Sequence, residues 1–417
     1  MAHGHDLHLM QQQDLLPHLF RTEFRKIVTV LSRQYGIEHI EVAEDIASET
    51  FLSALETWTY KGLPENPTAW LYRVAKNKTK NFLARTTLFD QKITKSIASS
   101  IRNYETELDL SDKNITDSQL QMLFAVCHPS ISTEAQVSMA LRILCGFGID
   151  EIANAFLTNR ETINKRLFRA KEKLRLEKVV IEFPLGEEIN NRLETVLTTL
   201  YLLFNEGYYS ESNDAVLRKD LCLEAMRLNY LLIENEQTNK PSVNALFSLM
   251  CFHSSRFPAR KNENGHIVLY KDQDDSLWNQ ELIARGIYYL KQASQGEKFS
   301  KYHLEASIAY WHTIKADTNE KWTSILQLYN QLLMIAYSPI AVLNRTFALS
   351  KVYGDQEAIK EAEKLKLTDN HYYFILLGEL YKNIDKKKAI LNLEKAYSLA
   401  QTQTDKQTIQ NKMSELA

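Results

Sequence analysis

The segment LRILCGFGIDEIANAFLTNRETINKRLFRAKEKLRLEK, from Leu141 to Lys178, constrains the fold of this chain more than any other. Ile149, Ile152, Ala153 and Phe156 recur at helical spacing and predict a short helix with one apolar face. Thr158, with Glu161 three residues later, reads as a capping box that opens a second helix. Ile163, Leu167, Ala170 and Leu174 form the apolar stripe of that helix, and Arg160, Asn164, Lys165, Arg166, Arg169, Lys171, Lys173, Arg175 and Lys178 fill the other side. A short helix, a tight turn and a cationic amphipathic helix make a helix-turn-helix pattern. One side packs on the domain and the other suits phosphates. The plain alternative is a solvated charged face.

Breakers are scarce. The 417 residues contain 12 Gly and 8 Pro, roughly 5% together against an average near 12%. The expected fold class is therefore all-α, and the length predicts two or three domains. A net charge of −2 excludes a bulk polycation, so any nucleic-acid binding must come from local segregation of charge. Cys127, Cys145, Cys222 and Cys251 show neither CxxC nor zinc-finger spacing, which predicts reduced thiols in a cytosolic, cytoplasmic protein. No apolar run approaches the roughly 18 residues of a membrane helix. The start, MAHGHDLHLM, lacks a signal-peptide core, and His3, His5 and His8 read as a loose terminus rather than a metal site.

Charge is segregated near the amino end. Between Ile37 and Tyr60 the charged residues are Glu38, Glu41, Glu44, Asp45, Glu49 and Glu56, on a predicted helix with Ile46, Phe51, Ala54, Leu55 and Trp58 inward. Pro64 and Pro67 stop it. The next helix carries Arg73, Lys76, Lys78, Lys80 and Arg85 with no acid between Tyr72 and Arg85. One small unit thus presents an acidic face to a cationic protein surface and a basic face to an anionic polymer, unless the two charges pair with each other. Four segments are expected: a helical unit over 10–90, a polar linker over 91–117, a second unit over 118–180 containing the helix-turn-helix, and a helical extension over 187–417. In the extension, LNRTFALSKVYGDQEAIKEAEKL is similar to LLGELYKNIDKKKAILNLEKAYSLA when Ala348 is laid on Tyr381. That offset of about 33 residues is close to the tetratricopeptide period. Asn264 and Gly265, before HIVLY, suggest a turn or small hairpin.

DIASETFLSALETW followed by PTAWLYRVAKNKTKNFLAR resembles the second region of bacterial extracytoplasmic-function sigma factors, and LRILCGFGIDEIANAFLTNRETINKRLFRAKEKLR resembles their fourth region. CHPSISTEAQVSMALRIL, YLLFNEGYYS, LCLEAMRL, DQDDSLW, YHLEASIAYWH and SPIAVLNRTFALS extend the resemblance to the subgroup with a long C-terminal extension of tetratricopeptide-like helices. The resemblance implies that Asp45, Glu49, Thr50 and Phe51 dock on the clamp helices of the largest subunit of RNA polymerase core. It implies that Tyr60, Asn66, Trp70, Tyr72, Arg73, Lys76, Asn77 and Lys80 meet the downstream promoter element, where aromatic and amide groups suit unstacked bases. Trp70 and Tyr72 equally suit a core position. Lys78 and Arg85 join the phosphate contacts. Asn159, Arg160, Glu161, Asn164, Lys165 and Arg169 would face the upstream element, with Arg166, Lys171 and Lys173 on its backbone. The implied partners are polymerase core, through clamp helices and flap, and promoter DNA. No membrane is implied, and the C-terminal domain has room for a regulatory protein or a small-molecule ligand. The turn Phe156-Leu157-Thr158 departs from the commonest pattern in having no Gly.

No enzyme signature is present: there is no P-loop, HExxH, GxSxG or GxGxxG, and no cofactor or metal is implied. Asp272, Asp274 and Asp275 imitate the start of a calcium loop, but Leu277 and Ile283 stand where Gly and Glu are required. His253, Arg256, Arg260, Asp272 and Asp274 suit either a ligand pocket or an internal polar network. The expected function is a sigma factor that directs promoter recognition and melting and is regulated in cis by its extension. The competing readings are a one-component regulator with an effector-binding helical half, and a helical scaffold whose basic helices only solubilise it.

Overall fold

The computed structural model describes residues 12–93, 108–208, 215–260, 268, 270–296 and 299–416. The terminal His3, His5 and His8 and the Asn264–Gly265 turn lie outside them. Among the described residues the regular structure is all helical, and no helix is long and apolar enough to cross a membrane. The chain divides into two compact units, Met1–Thr238 and Asn239–Ala417. The expected boundary near residue 187 is therefore not the structural one.

The first unit begins with α1 (Gln12–Tyr35), α2 (Ile40–Lys61) and α3 (Pro67–Ile93). Gly36 ends α1 at φ +92°, a conformation that costs other residues a Cβ clash. Pro67 opens α3 where its missing N–H is harmless. Phe20 stacks on Phe24 and meets Phe51 edge-on, at 4.8 and 5.0 Å, which ties α1 to α2. Next comes α4 (Asp112–Val126), capped by Ser111, so the linker expected to run to residue 117 ends earlier. α5 (Thr133–Met139) widens into a π-turn over Ala140–Leu144, with Cys145 N–H donating to Ala140 O at 3.1 Å.

α6 (Ile149–Ala155) and α7 (Arg160–Leu176) follow. Glu151 reaches back to accept from Gly148 N–H at 2.7 Å. The turn between the helices is made by Leu157 at φ +48°, so a leucine occupies the left-handed position that glycine usually takes. The expected Thr158–Glu161 capping box does not form. Asn159 is the cap, with its Oδ1 accepting from Thr162 N–H at 2.8 Å, and Glu161 turns instead to Lys165. The stripe Ile163, Leu167, Ala170 and Leu174 is buried as expected, each large side chain contributing about 1.5–3 kcal/mol. α8 (Glu188–Tyr208) and α9 (Ala215–Glu234) complete this unit. Their apolar faces, including Leu193, Val196, Leu200, Phe204, Leu221 and Leu228, are buried.

The second unit holds α10 (Pro241–Ser255), α11 (Gln280–Ala293), α12 (Lys301–Trp311), α13 (Asn319–Ile335), α14 (Pro339–Tyr353), α15 (Asp355–Leu365), α16 (His371–Tyr381), α17 (Lys386–Leu399) and α18 (Gln403–Ser414). Consecutive helices pack in pairs around a core from Leu304 to Leu416. Gly286 lets α11 approach α10: a Cβ there would stand 2.6 Å from Phe252, and Ser248 Oγ donates to Gly286 O at 2.7 Å. Ala348 and Tyr381, superposed in the expected repeat, are both buried. The loop before α11 is pinned by cations: Lys315 donates to Tyr270 O and Gln273 O at 3.2 and 2.6 Å, and the Arg256 guanidinium lies 5.5 Å from the Tyr270 ring centre. Asp274 caps the turn at Ser276. Of the polar residues singled out in the sequence, Arg256 stands over Tyr270, while Asp272 and Asp274 are exposed.

Candidate nucleic-acid and protein interfaces

α2 has two unlike faces. Ala43, Glu44, Ala47, Thr50, Phe51, Ala54 and Trp58 are buried, whereas Asp45, Glu49, Leu52, Leu55 and Glu56 are exposed three or four residues apart. Thr50 and Phe51 therefore face the bundle rather than a partner: Thr50 Oγ1 donates to Ile46 O at 2.7 Å and Phe51 packs on Phe20. Leu55, expected inward, is 52% exposed, and Leu52 is 55% exposed. Two leucines ringed by carboxylates form a surface that the acidic pattern alone did not reveal. Its signal was present: Leu52 and Leu55 fall on the stripe of Asp45, Glu49 and Glu56. Glu49 is paired with Lys78 at 3.2 Å.

On α3 the helix brings Asn66, Trp70, Arg73, Asn77 and Lys80 to one face, spaced four, three, four and three residues apart, with Lys76 beside it. Tyr60, 89% exposed, stands at the end of α2. Arg73, Asn77 and Lys80 are exposed. Asn66 already works as a helix cap, its Oδ1 accepting from Ala69 N–H at 2.9 Å. Trp70 is half-buried, edge-on to Trp58 at 5.3 Å, so only part of its ring is available. Tyr72 belongs to the interior: its hydroxyl donates to Glu23 at 2.6 Å, and burial, then Glu23, push the phenol far above its usual range. Arg85 lies outside the residues whose side chains are described.

α7 presents Arg160, Glu161, Asn164, Lys165, Arg169 and Lys173 to solvent. Lys165, Arg166, Arg169 and Lys173 line a cleft of about 510 Å³ with Ser130, Ser132 and Thr162. Several of these cations have weak internal partners: Arg160 lies 3.5 Å from Asp150, Lys165 2.6 Å from Glu161, and Lys173 2.7 Å from Glu177. Such exposed pairs exchange readily for phosphate. Arg166 lies over the Phe156 ring at 5.2 Å and reaches Ser138 at 3.3 Å. Asn159 spends its carbonyl on the cap. Lys171 is turned inward, 2.6 Å from Glu44 of α2, and Arg142 reaches the other Glu44 oxygen at 2.7 Å. Glu44 was not singled out from the sequence, although a carboxylate on the apolar stripe of a helix is the mark of a buried ion pair.

Residues 19–88, which carry the α2 and α3 faces, match the sigma-70 region 2 family. This match supports a sigma-70 family sigma factor with a role in transcription initiation, and region 2 implies binding to polymerase core and promoter DNA. Along nearly its whole length it is also similar to the uncharacterized protein R00370 of Rhizobium meliloti (strain 1021), with 31% identity over 386 residues that cover 91% of each chain. Residues 192–294 match a family of unknown function, DUF6596, which begins in α8 and runs past Thr238 into the second unit. No solved structure matches the chain.

Proposed function

We propose that this protein is an extracytoplasmic-function type sigma factor that docks on RNA polymerase core through the exposed face of α2 and reads promoter DNA with α3 and α7. The observation that carries the reading is the separation of faces within residues 19–88: carboxylates around Leu52 and Leu55 on α2, and Trp70, Arg73, Asn77 and Lys80 on α3, with Tyr60 between. The first face suits a basic protein groove and the second a single strand with exposed bases. α6 and α7 serve as a helix-turn-helix, with Arg160, Asn164, Lys165 and Arg169 toward base edges and the cleft beside α7 toward the backbone. The paired helices of the second unit act as a tetratricopeptide-like module that regulates initiation in cis, in the cytoplasm.

Run-off transcription with purified bacterial core tests the reading. The full chain should yield a specific transcript, and Asp45→Lys with Glu49→Lys should abolish core association without unfolding the chain. Duplex binding with no core association and no transcript would favour a one-component regulator instead. Regulation in cis is tested by a chain ending at Thr238, because an end near Phe183 would strip α8 and α9 from the core of the first unit. Equal transcription from the full and shortened chains excludes regulation by the second unit.

A further inference from the structure

α9 holds two other parts of the first unit at once. Asp220 and Glu224 stand one helical turn apart, as do Arg21 and Arg25 on α1, and the pairs Arg21–Asp220 and Arg25–Glu224 share the same sequence separation of 199. Two parallel helices are thus joined by a two-rung ionic ladder. Arg25 and Glu224 are only 8% and 14% exposed, and their side chains meet at 2.5 Å, so salt screens them little. Burial alone would raise the Glu224 carboxyl, but Arg227 and Arg25 on either side outweigh it and hold it below its usual range.

Each rung also reaches a third segment. Arg21 extends to Glu151 of α6 at 2.9 Å. Arg227, bound to Glu224 at 2.7 Å, donates to Leu144 O at 2.7 Å and to Gln119 of α4 at 3.2 Å. α8 adds Arg192 to Phe124 O at 2.5 Å and Thr199 to Gln136 at 2.9 Å. The two segments that the hairpin bridges also meet directly, where Arg33 of α1 donates to Asn114 of α4 at 2.8 Å and Glu44 of α2 binds Arg142 and Lys171.

We infer that the α8–α9 hairpin is a clasp that holds the α1–α3 bundle against the α4–α7 segment, so that an acid beside the polymerase-facing side and a cation of the DNA-facing helix mask each other until the clasp opens. Opening would release Glu44 and Lys171 together, so binding of a basic protein surface and binding of DNA phosphates become linked. Only the consequence for transcription rests on the sigma-factor reading; the clasp itself does not.

The test is an intramolecular distance in the full chain. The four native cysteines are buried, so cysteines introduced at exposed Asn81 on α3 and Asn154 on α6 take a fluorophore pair selectively. Asp220→Asn and Glu224→Gln, each checked for wild-type helicity and cooperative melting, should shift transfer efficiency toward a longer separation and raise affinity for a random-sequence duplex several-fold. Should Glu224→Gln fail to fold, Asp220→Asn decides, because Arg21 keeps Glu151 as a partner. A folded Asp220→Asn chain with unchanged distance overturns the clasp. A longer distance with unchanged duplex affinity overturns the masking. Neither readout contains polymerase or a promoter, so failure here is distinct from failure of the run-off assay.

Discussion

Glu44 and Lys171 lie 2.6 Å apart across 127 residues of chain, with Arg142 on the second carboxylate oxygen. All three side chains are less than one-fifth exposed. Removing the carboxylate leaves enclosed Arg142 without a counter-charge and Lys171 with only the exposed Glu41 at 3.8 Å, and breaking such a group costs about 3 kcal/mol. Glu44→Ala should therefore lower the urea midpoint of the first unit strongly. Glu41→Ala is the control. It sits 3.8 Å from Lys171 and is largely exposed, so its loss should cost about 0.5 kcal/mol or less. Equal effects of the two substitutions would show that Glu44 is not an enclosed partner.

Leu52 and Leu55 form the apolar centre of the exposed α2 face and lie outside the buried core. Leu52→Asp with Leu55→Asp should leave the melting temperature within a degree or two, since surface changes are usually worth under about 0.5 kcal/mol. The same change should weaken core association at least as much as reversal at Asp45 and Glu49, because a desolvated apolar centre carries more energy than a charged rim. Competition binding against the unsubstituted chain measures this.

Gly286 and Phe252 fix how closely α11 sits on α10. With a Cβ 2.6 Å from the ring carbon Cε1, Gly286→Ala forces the ring or the helix to move. Overpacking of this kind costs about 1–3 kcal/mol. Differential scanning calorimetry should show the second unit melting earlier in Gly286→Ala, with the first unit unchanged.

His312 gives the second unit an acid-sensitive stability. Its Nδ1 is sealed from solvent, and burial first, then Arg256 and Lys321, bring its pKa down to about 3. His253 is lowered in the same direction by burial, Arg256, Arg260 and His312 itself. Between that value and the ordinary one near 6.5, the unfolded chain binds a proton that the folded chain refuses. Stability is therefore complete above about pH 6.5 and declines as pH falls, by about 2 kcal/mol for His312 alone near pH 5. His312→Phe keeps an aromatic ring between Tyr270 and Trp322 and should reduce the slope of stability against pH, with His253 and His303, both also lowered by burial, still contributing. An unchanged slope would show that His312 is not excluded from protonation.

Helices were legible in the sequence because apolar spacing reports which side of a helix leaves water. α3 begins at Pro67 and the stripe Ile163–Leu174 is buried. The pattern does not say what covers a face. Leu55 satisfies the apolar spacing of α2 yet lies just off the stripe through Thr50 and Trp58, and nothing in the described unit covers it. Lys171 reads as one of many cations on α7, and only the fold brings Glu44 to it. The boundary expected near residue 187 follows a change in composition at Phe183–Gly186. The division at Thr238 follows packing, because α8 and α9 pair with each other and reach Phe124, Gln136 and Arg25 of the first unit.

Salt dependence separates the cations of α7 by role. Lys165, Arg169 and Lys173 line the open cleft, and removing one cation that pairs with a phosphate should reduce the slope of log affinity against log salt by about 0.9. Arg169→Ala should therefore weaken all duplexes alike and flatten the slope. Arg160→Ala, at the start of the helix, should instead lose about 1–3 kcal/mol only on the preferred upstream sequence. Lys171→Ala should break the pattern. That lysine is held by Glu44 in the closed chain, so its removal deletes one phosphate partner and also loosens the interface that hides it. Its net effect on duplex affinity should be smaller than that of Arg169→Ala, although its slope falls by as much. Titrations at several salt concentrations measure both quantities. Identical losses for Lys171→Ala and Arg169→Ala would mean that Glu44 does not restrain Lys171.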